Sequence, residues 1–163
     1  VVDTTPPVVA MSDQRLACLW PPNHRYVCFG RDELEELIAP LITDLCESEP
    51  IDWRIAGCDS DQPDDARDDS APGWNGDGHT ENDCVVAPDG SGFCARSERA
   101  GSGPTAQDGR HYSISIIAVD ACGNESEPTP AGQVYVPHDQ SPHEKDCVDA
   151  SKRGLRRKQA LPL

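Results

Sequence analysis

The residues best suited to chemistry are Asp120-Ala121-Cys122-Gly123-Asn124, an oxygen-rich turn that directly follows an alternating segment at 111–119. In that segment Tyr112, Ile114, Ile116 and Ala118 fall on one face of a period-2 pattern, which predicts a half-buried β-strand ending at the turn. The Asp120 carboxylate and the Asn124 amide offer hard oxygen atoms, which suit Ca2+ better than softer metals. The competing reading makes both residues turn formers that spend their side-chain oxygens on their own loop.

A second concentration of oxygen lies at 59–83, where nine acids accompany one Arg and one His. Tested as an EF-hand from Asp59, Asp61 fits the third position, but Pro63 and Asp64 occupy the fifth and sixth, so that reading fails. Asp59, Asp61, Asp64, Asp65, Asp68 and Asp69 still offer irregular Ca2+ binding that would relieve their mutual repulsion. The alternative is a solvated loop with no ion.

Catalysis has less support. The chain has no G-x-S-x-G, no H-E-x-x-H and no phosphate-cradling glycine loop. Glu98 with Asp108 can be read as an acid/base pair, but surface ion pairing of Glu98 with Arg96 or Arg99 is the commoner arrangement. Eight cysteines without a C-x-x-C read as four disulfides of an oxidising compartment, not as zinc ligands or nucleophiles. The expectation is a non-catalytic protein.

Composition says what must position these groups. With 36% hydrophobic residues, 5% aromatic residues, 15 Pro and 13 Gly, the chain is poor material for a helical bundle. It suits many short strands joined by turns. The net charge of −15 is uneven: Lys152, Arg153, Arg156, Arg157 and Lys158 crowd the end, leaving nine basic against all 29 acidic groups in residues 1–150. Such a surface repels nucleic acid and anionic membrane and favours cations or cationic partners; solubility at high salt is the plainer reading. No apolar run approaches the roughly 20 residues that cross a bilayer. No signal-peptide pattern heads the sequence, as in a chain that begins after processing or within a longer protein.

Along the chain, Val1–Val9 with its double proline suits a linker leading into an edge strand. Leu19–Val27 reads as a rigid turn feeding a second strand. Leu34, Leu37, Ile38, Leu41 and Ile42 fit a short amphipathic helix within 32–45, broken or ended at Pro40. Strands are expected at 51–56, around 85–86, at 93–98, at 111–119 and at 133–136, with a loosely packed tail beyond Pro137 and a mobile basic end.

Six motifs occur in order: Asp3-Thr4-Thr5-Pro6-Pro7, Leu19-Trp20-Pro21-Pro22-Asn23-His24, Ala95-Arg96-Ser97-Glu98-Arg99, Asp108-Gly109-Arg110-His111-Tyr112, Asp120-Ala121-Cys122-Gly123-Asn124 and Val136-Pro137-His138-Asp139-Gln140. Together they resemble a bacterial immunoglobulin-like domain, akin to hyalin-repeat and cadherin-like modules of secreted and cell-surface proteins. The resemblance spans roughly 3–140. It implies an all-β, immunoglobulin-like Greek-key β-sandwich over 1–140, with the acidic loop at 59–83 and an extension at 141–163. It further implies a spacer, an adhesion unit or a companion of a catalytic domain, with neighbouring domains, other surface proteins or polysaccharide as partners.

Within that sandwich, Tyr112 takes the place of a tyrosine corner, its hydroxyl bonding backbone across a corner. Asp120 and Asn124 fall at one end with Asp3, an oxygen set for Ca2+ at a domain junction. Asn23, His24, Asp108, His138 and Asp139 gather at the other end, as a Zn2+ site or as a hydrogen-bonded cluster pinning the last strand. The same topology suggests the disulfides Cys18–Cys28, Cys84–Cys94, Cys46–Cys122 and Cys58–Cys147. A second functional class stays open, a carbohydrate-type ligand-binding module that uses Trp74, the tryptophan in a loop.

Overall fold

In the computed structural model, residues 3–45, 50–64, 80–101, 106–139 and 147–153 are described. The strand at the centre is β8 (Arg110–Val119), whose side chains alternate between buried and half-exposed along its full length. Arg110, Tyr112, Ile114, Ile116 and Ala118 point inward, as the period-2 pattern requires. On one side β8 pairs antiparallel with β5 (Asp52–Ser60), and on the other with β9 (Thr129–Val136). Beyond β9, in parallel, lies β2 (Arg15–Trp20), then β10 (Val148–Asp149), completing a five-stranded sheet.

A three-stranded sheet carries β7 (Gly92–Arg96) between β3 (Tyr26–Gly30) and β6 (Cys84–Val86), all antiparallel. The two sheets share one apolar core: Leu19, Trp53, Ile55, Tyr112, Ile114 and Val134 from the larger meet Val27, Phe29, Phe93 and Ala95 from the smaller. Between β3 and β4 (Ile42–Thr43) runs α1 (Arg31–Ile38), which adds Leu34 and Ile38 to the core. The helix gives way to a 3-10 turn at Ala39–Leu41, where Pro40 cannot continue the α-helical ladder. Strand β4 then pairs with β1 (Val8–Val9) in a separate two-stranded sheet.

The expected β-rich character, the short helix within 32–45 and its break at Pro40 therefore stand. Several details differ. Arg15–Trp20 is a strand that the pattern did not announce, because the burial along β2, between β9 and β10, does not alternate. Asp59 belongs to β5, not to a loop, since β5 follows β8 as far as Tyr112. Residues 147–153 are not loosely packed: β10 pairs with β2, and Ala150, opening α2 (Ala150–Arg153), is fully buried in the core. The acidic segment at 65–79 and the basic end from 154 onward lie outside the described residues.

The cysteines pair differently from the topological expectation. Cys18 bonds Cys147, Cys28 bonds Cys94, and Cys58 bonds Cys84. Cys28 and Cys94 are direct cross-strand partners on β3 and β7, strands distant in sequence. The local hairpin pairings Cys18–Cys28 and Cys84–Cys94 fail for that reason. Cys122 carries a free, exposed thiol, against the expected bond to Cys46, which lies outside the described residues. Cross-linked peptides 18–147, 28–94 and 58–84 are expected in a non-reduced digest, and alkylation of the native, unreduced protein is expected to label Cys122. A Cys18–Cys28 peptide or an unlabelled Cys122 would contradict this arrangement.

Candidate metal centre and buried ionic network

At the far end of β8 the chain turns tightly through Asp120–Asn124. Gly123 adopts a φ of +85°, open to glycine at little cost, and donates its N–H to the Asp120 carbonyl at 3.1 Å. The Asp120 carboxylate accepts the Asn124 backbone N–H at 2.8 Å and the Asn124 amide at 2.7 Å. The same amide nitrogen donates to the Asp3 carbonyl at 3.1 Å, drawing the N-terminal segment over the turn. Asp44, one residue past β4, completes the arrangement. Asp3, Asp44 and Asp120 each place a carboxylate oxygen within 4.8 Å of the other two.

Asp120 is only 6% exposed. Burial opposes its ionisation, yet the hydrogen bonds from Asn124 and from the Cys122 and Gly123 N–H groups hold its carboxyl below the usual range. The buried Oδ2 of Asp3 accepts no hydrogen bond, while Oδ1 accepts the Thr5 N–H at 2.9 Å. Of the residues proposed from sequence, Asp3 and Asp120 are thus brought together. Asn124 joins them through its amide nitrogen, which donates to the Asp120 carboxylate and to the Asp3 main-chain carbonyl. Asp44 had no signal beyond its position just past the helix and was missed.

Among the described residues, Asp59, Asp61 and Asp64 form no group of three with metal-ligand spacing. Asp59 lies exposed on β5, Asp61 accepts the His111 backbone N–H at 2.9 Å, and Asp64 accepts the Asn82 N–H at 2.9 Å. Asp65, Asp68, Asp69 and Trp74 fall outside the described residues. At the opposite end, Asn23 caps the Arg25 N–H and His24 approaches Glu98 at 3.3 Å. Among the described residues the only metal-sized group of three is the aspartate triad, so Asn23, His24, Asp108, His138 and Asp139 form no zinc set.

What the opposite end does hold is a buried ionic network. Asp83, fully buried, accepts Arg96 Nε on Oδ1 at 2.9 Å and Arg110 Nη1 on Oδ2 at 2.8 Å. Arg96 also donates to the His24 carbonyl and the Tyr26 hydroxyl, and its guanidinium lies 4.1 Å from the Tyr26 ring centre. Arg110, with no exposed surface, donates to Ser60 Oγ and the Gln62 carbonyl and lies against the Tyr112 ring. Glu98 is buried beside them, 3.4 Å from Arg96 Nε and hydrogen-bonded by Thr80. The expected surface ion pair of Glu98 is therefore an interior one.

Burial pushes the Asp83 carboxyl up, with Arg110 opposing. It also pushes Glu98 up, against the Thr80 hydrogen bond. The Tyr112 phenol is raised well above its ordinary value by burial and remains a donor, bonding the Arg96 carbonyl at 2.9 Å. The structural role expected of Tyr112 rests on this bond, which ties β8 to the end of β7.

Comparison of the chain with protein-family models, with curated protein sequences and with solved structures finds no match in any of the three.

Arg110→Ala strips one of two guanidinium partners from Asp83 and is expected to cost about 3–5 kcal/mol in urea unfolding of the oxidised protein. A loss below about 1 kcal/mol would show that the pair does not behave as a buried one. Glu98 gives a pH signature. Because its folded-state carboxyl is raised, its contribution is fully present below the ordinary carboxylate range and lost as pH climbs through the raised value. Glu98→Gln should flatten the fall in stability above that range; parallel pH curves for variant and parent would refute it.

Proposed function

We propose that the chain is a non-catalytic, immunoglobulin-like module of a secreted or cell-surface protein, stiffened by Ca2+ at the Asp3/Asp44/Asp120 centre. The observation that carries this reading is the convergence of three carboxylates from three separate segments, with Asp120 held ionised and an Asp3 oxygen buried without a donor. Among the described residues no basic side chain forms an ion pair with Asp3 or Asp120. A hard divalent cation would offset their repulsion, taking further oxygen ligands from main-chain carbonyls or water.

The strand order supports the immunoglobulin-like part. Taking β2, β3, β5, β6, β7, β8 and β9 as strands A to G, the smaller sheet runs B-E-D and the larger contains C-F-G. Strand A lies parallel to G and not on B, a variation on the constant-type arrangement. A buried Trp on strand C corresponds to Trp53. A Tyr near the start of strand F, bonding backbone at the E–F corner, corresponds to Tyr112 and the Arg96 carbonyl. The disulfides depart from the antibody pattern: Cys28–Cys94 joins B to E and Cys58–Cys84 joins C to D.

An extracellular setting agrees with three disulfides, which persist in oxidising compartments. No helix among the described residues is long and apolar enough to cross a membrane. In the proposed role, the ion fastens the N-terminal segment to the β8–β9 turn and the end of β4, so that a preceding domain would be held at a fixed angle. Saturating Ca2+ is expected to raise the melting temperature by several degrees over the EDTA-treated protein, through binding to the folded state alone. Asp120→Asn and Asp44→Asn should each abolish the difference. Identical melting in millimolar Ca2+ and in excess EDTA would sink the calcium reading.

A further inference from the structure

The outward face of the five-stranded sheet holds an open hollow of about 580 Å3, lined by Asp13, Arg15, Asp108, His111, Gln133 and Tyr135 among others. His111 and Gln133 also border an adjoining hollow of about 400 Å3 that reaches Asp61 and Ser113. The size is that of a small-ligand site. We propose that this groove binds a neutral saccharide, a reading that stands independently of the calcium centre and of Trp74.

The floor is an ordered row across four neighbouring segments. Tyr135 on β9 is flanked on its β8 side by the His111 ring, stacked at 4.8 Å, and on its β2 side by the Arg15 guanidinium, 5.3 Å from the ring centre. Just beyond β5, Asp61 grips His111 twice, accepting its backbone N–H on Oδ1 and lying 3.0 Å from Nδ1 on Oδ2. The two contacts to Asp61 fix the orientation of the His111 ring beside Tyr135.

Both walls are anchored in the interior. Gln62, buried, donates to the Gly109 carbonyl at 2.8 Å, which joins the turn carrying Asp61 to the turn carrying Asp108. Gly109 itself has a φ of +77°, and a Cβ there would collide with the Val136 carbonyl oxygen and lie 2.8 Å from Tyr135 Cε2. Only glycine lets this wall approach the Tyr135 ring so closely. Arg110 fixes the first wall from beneath through Ser60 and the Gln62 carbonyl.

The lining selects the ligand class. Asp13, Asp61 and Asp108 outnumber Arg15, so an anionic ligand is repelled. The lining has no aliphatic side chains among the named groups, which disfavours a lipid or other apolar molecule. A polycation would need acceptors alone, whereas this groove interleaves acceptors with the donors Arg15, Gln133 and the Tyr135 hydroxyl. Vicinal hydroxyl groups, each both donor and acceptor, match that mixture.

Affinity electrophoresis of the whole chain in gels carrying mixed-linkage β-glucan, xylan, galactomannan or dextran, all with EDTA present, tests the proposal. Retardation on at least one polysaccharide is expected, and Arg15→Ala combined with Gln133→Ala should weaken it by about tenfold or more, as loss of two hydrogen-bonding side chains implies. Both sites are surface positions, so the double variant should melt within a few degrees of the parent. Asp61→Asn, which loosens His111 without emptying the groove, should give an intermediate loss. No retardation on any of the four overturns the proposal, as does retardation that the double variant retains. Binding of spermine with no polysaccharide binding likewise overturns it, in favour of a cation-binding face. Because EDTA is present throughout, failure of the calcium reading leaves this result unaffected.

Discussion

The arrangement at Asp83 sets the terms for most of the structure. Its two oxygens are divided between Arg96, at the end of β7 in one sheet, and Arg110, at the start of β8 in the other. Taking these charges out of water is expensive, and the cost is recovered only when nearly every donor finds an acceptor. Here the carbonyls of His24 and Gln62, the hydroxyls of Tyr26 and Ser60, and two aromatic faces provide those partners. The consequence is specificity of position: four loop segments at one end of the molecule are held to a common centre. A hydrophobic replacement of equal volume would serve stability as well, but it would not fix the directions of these loops.

This network explains how a chain with little apolar material keeps a defined end. The shared core is built chiefly from β3, β5, β7, β8 and β9 and stops where β8 begins with Arg110. Beyond that point polar groups and covalent links take over. Cys84 follows Asp83 directly and bonds Cys58 on β5, so the disulfide and the ion pairs reinforce the same junction between sheets. Cys18–Cys147 does the corresponding work for β10 and α2, adding a covalent link to the core contacts of Val148 and Ala150.

Strand β8 was legible in the sequence because the spacing of Tyr112, Ile114, Ile116 and Ala118 fits a half-buried strand and does not fit a helix. The same period places Arg110, two residues before Tyr112, on the inward face. A buried arginine was readable there, and the general rule that charges lie outside hid it. The meeting of Asp3 with Asp120 was also accessible, since the direction of a strand fixes which loops share an end. Asp44 was not, because its place depends on the 3-10 turn after α1 and on the β1–β4 pair, both too short to leave a pattern. Disulfide partners were hidden for a topological reason. Sequence suggests nearby hairpins, whereas β3 finds its partner in β7 across 66 residues of separation.

The two ends of β8 therefore treat negative charge in opposite ways. At the start, Asp83 and Glu98 lie beside the buried guanidinium groups of Arg96 and Arg110, so the protein supplies its own counter-charge in the interior. At the end, the Asn124 amide joins the Asp120 carboxylate to the Asp3 main-chain carbonyl, and a backbone N–H adds a second donor to Asp120. Hydrogen-bond donors favour the ionised state without cancelling its charge. An arrangement that concentrates carboxylates and keeps one ionised makes physical sense where the compensating cation comes from outside. That asymmetry places the proposed ion at the Asp120 end and not at the Arg110 end, where two buried guanidinium groups already face Asp83.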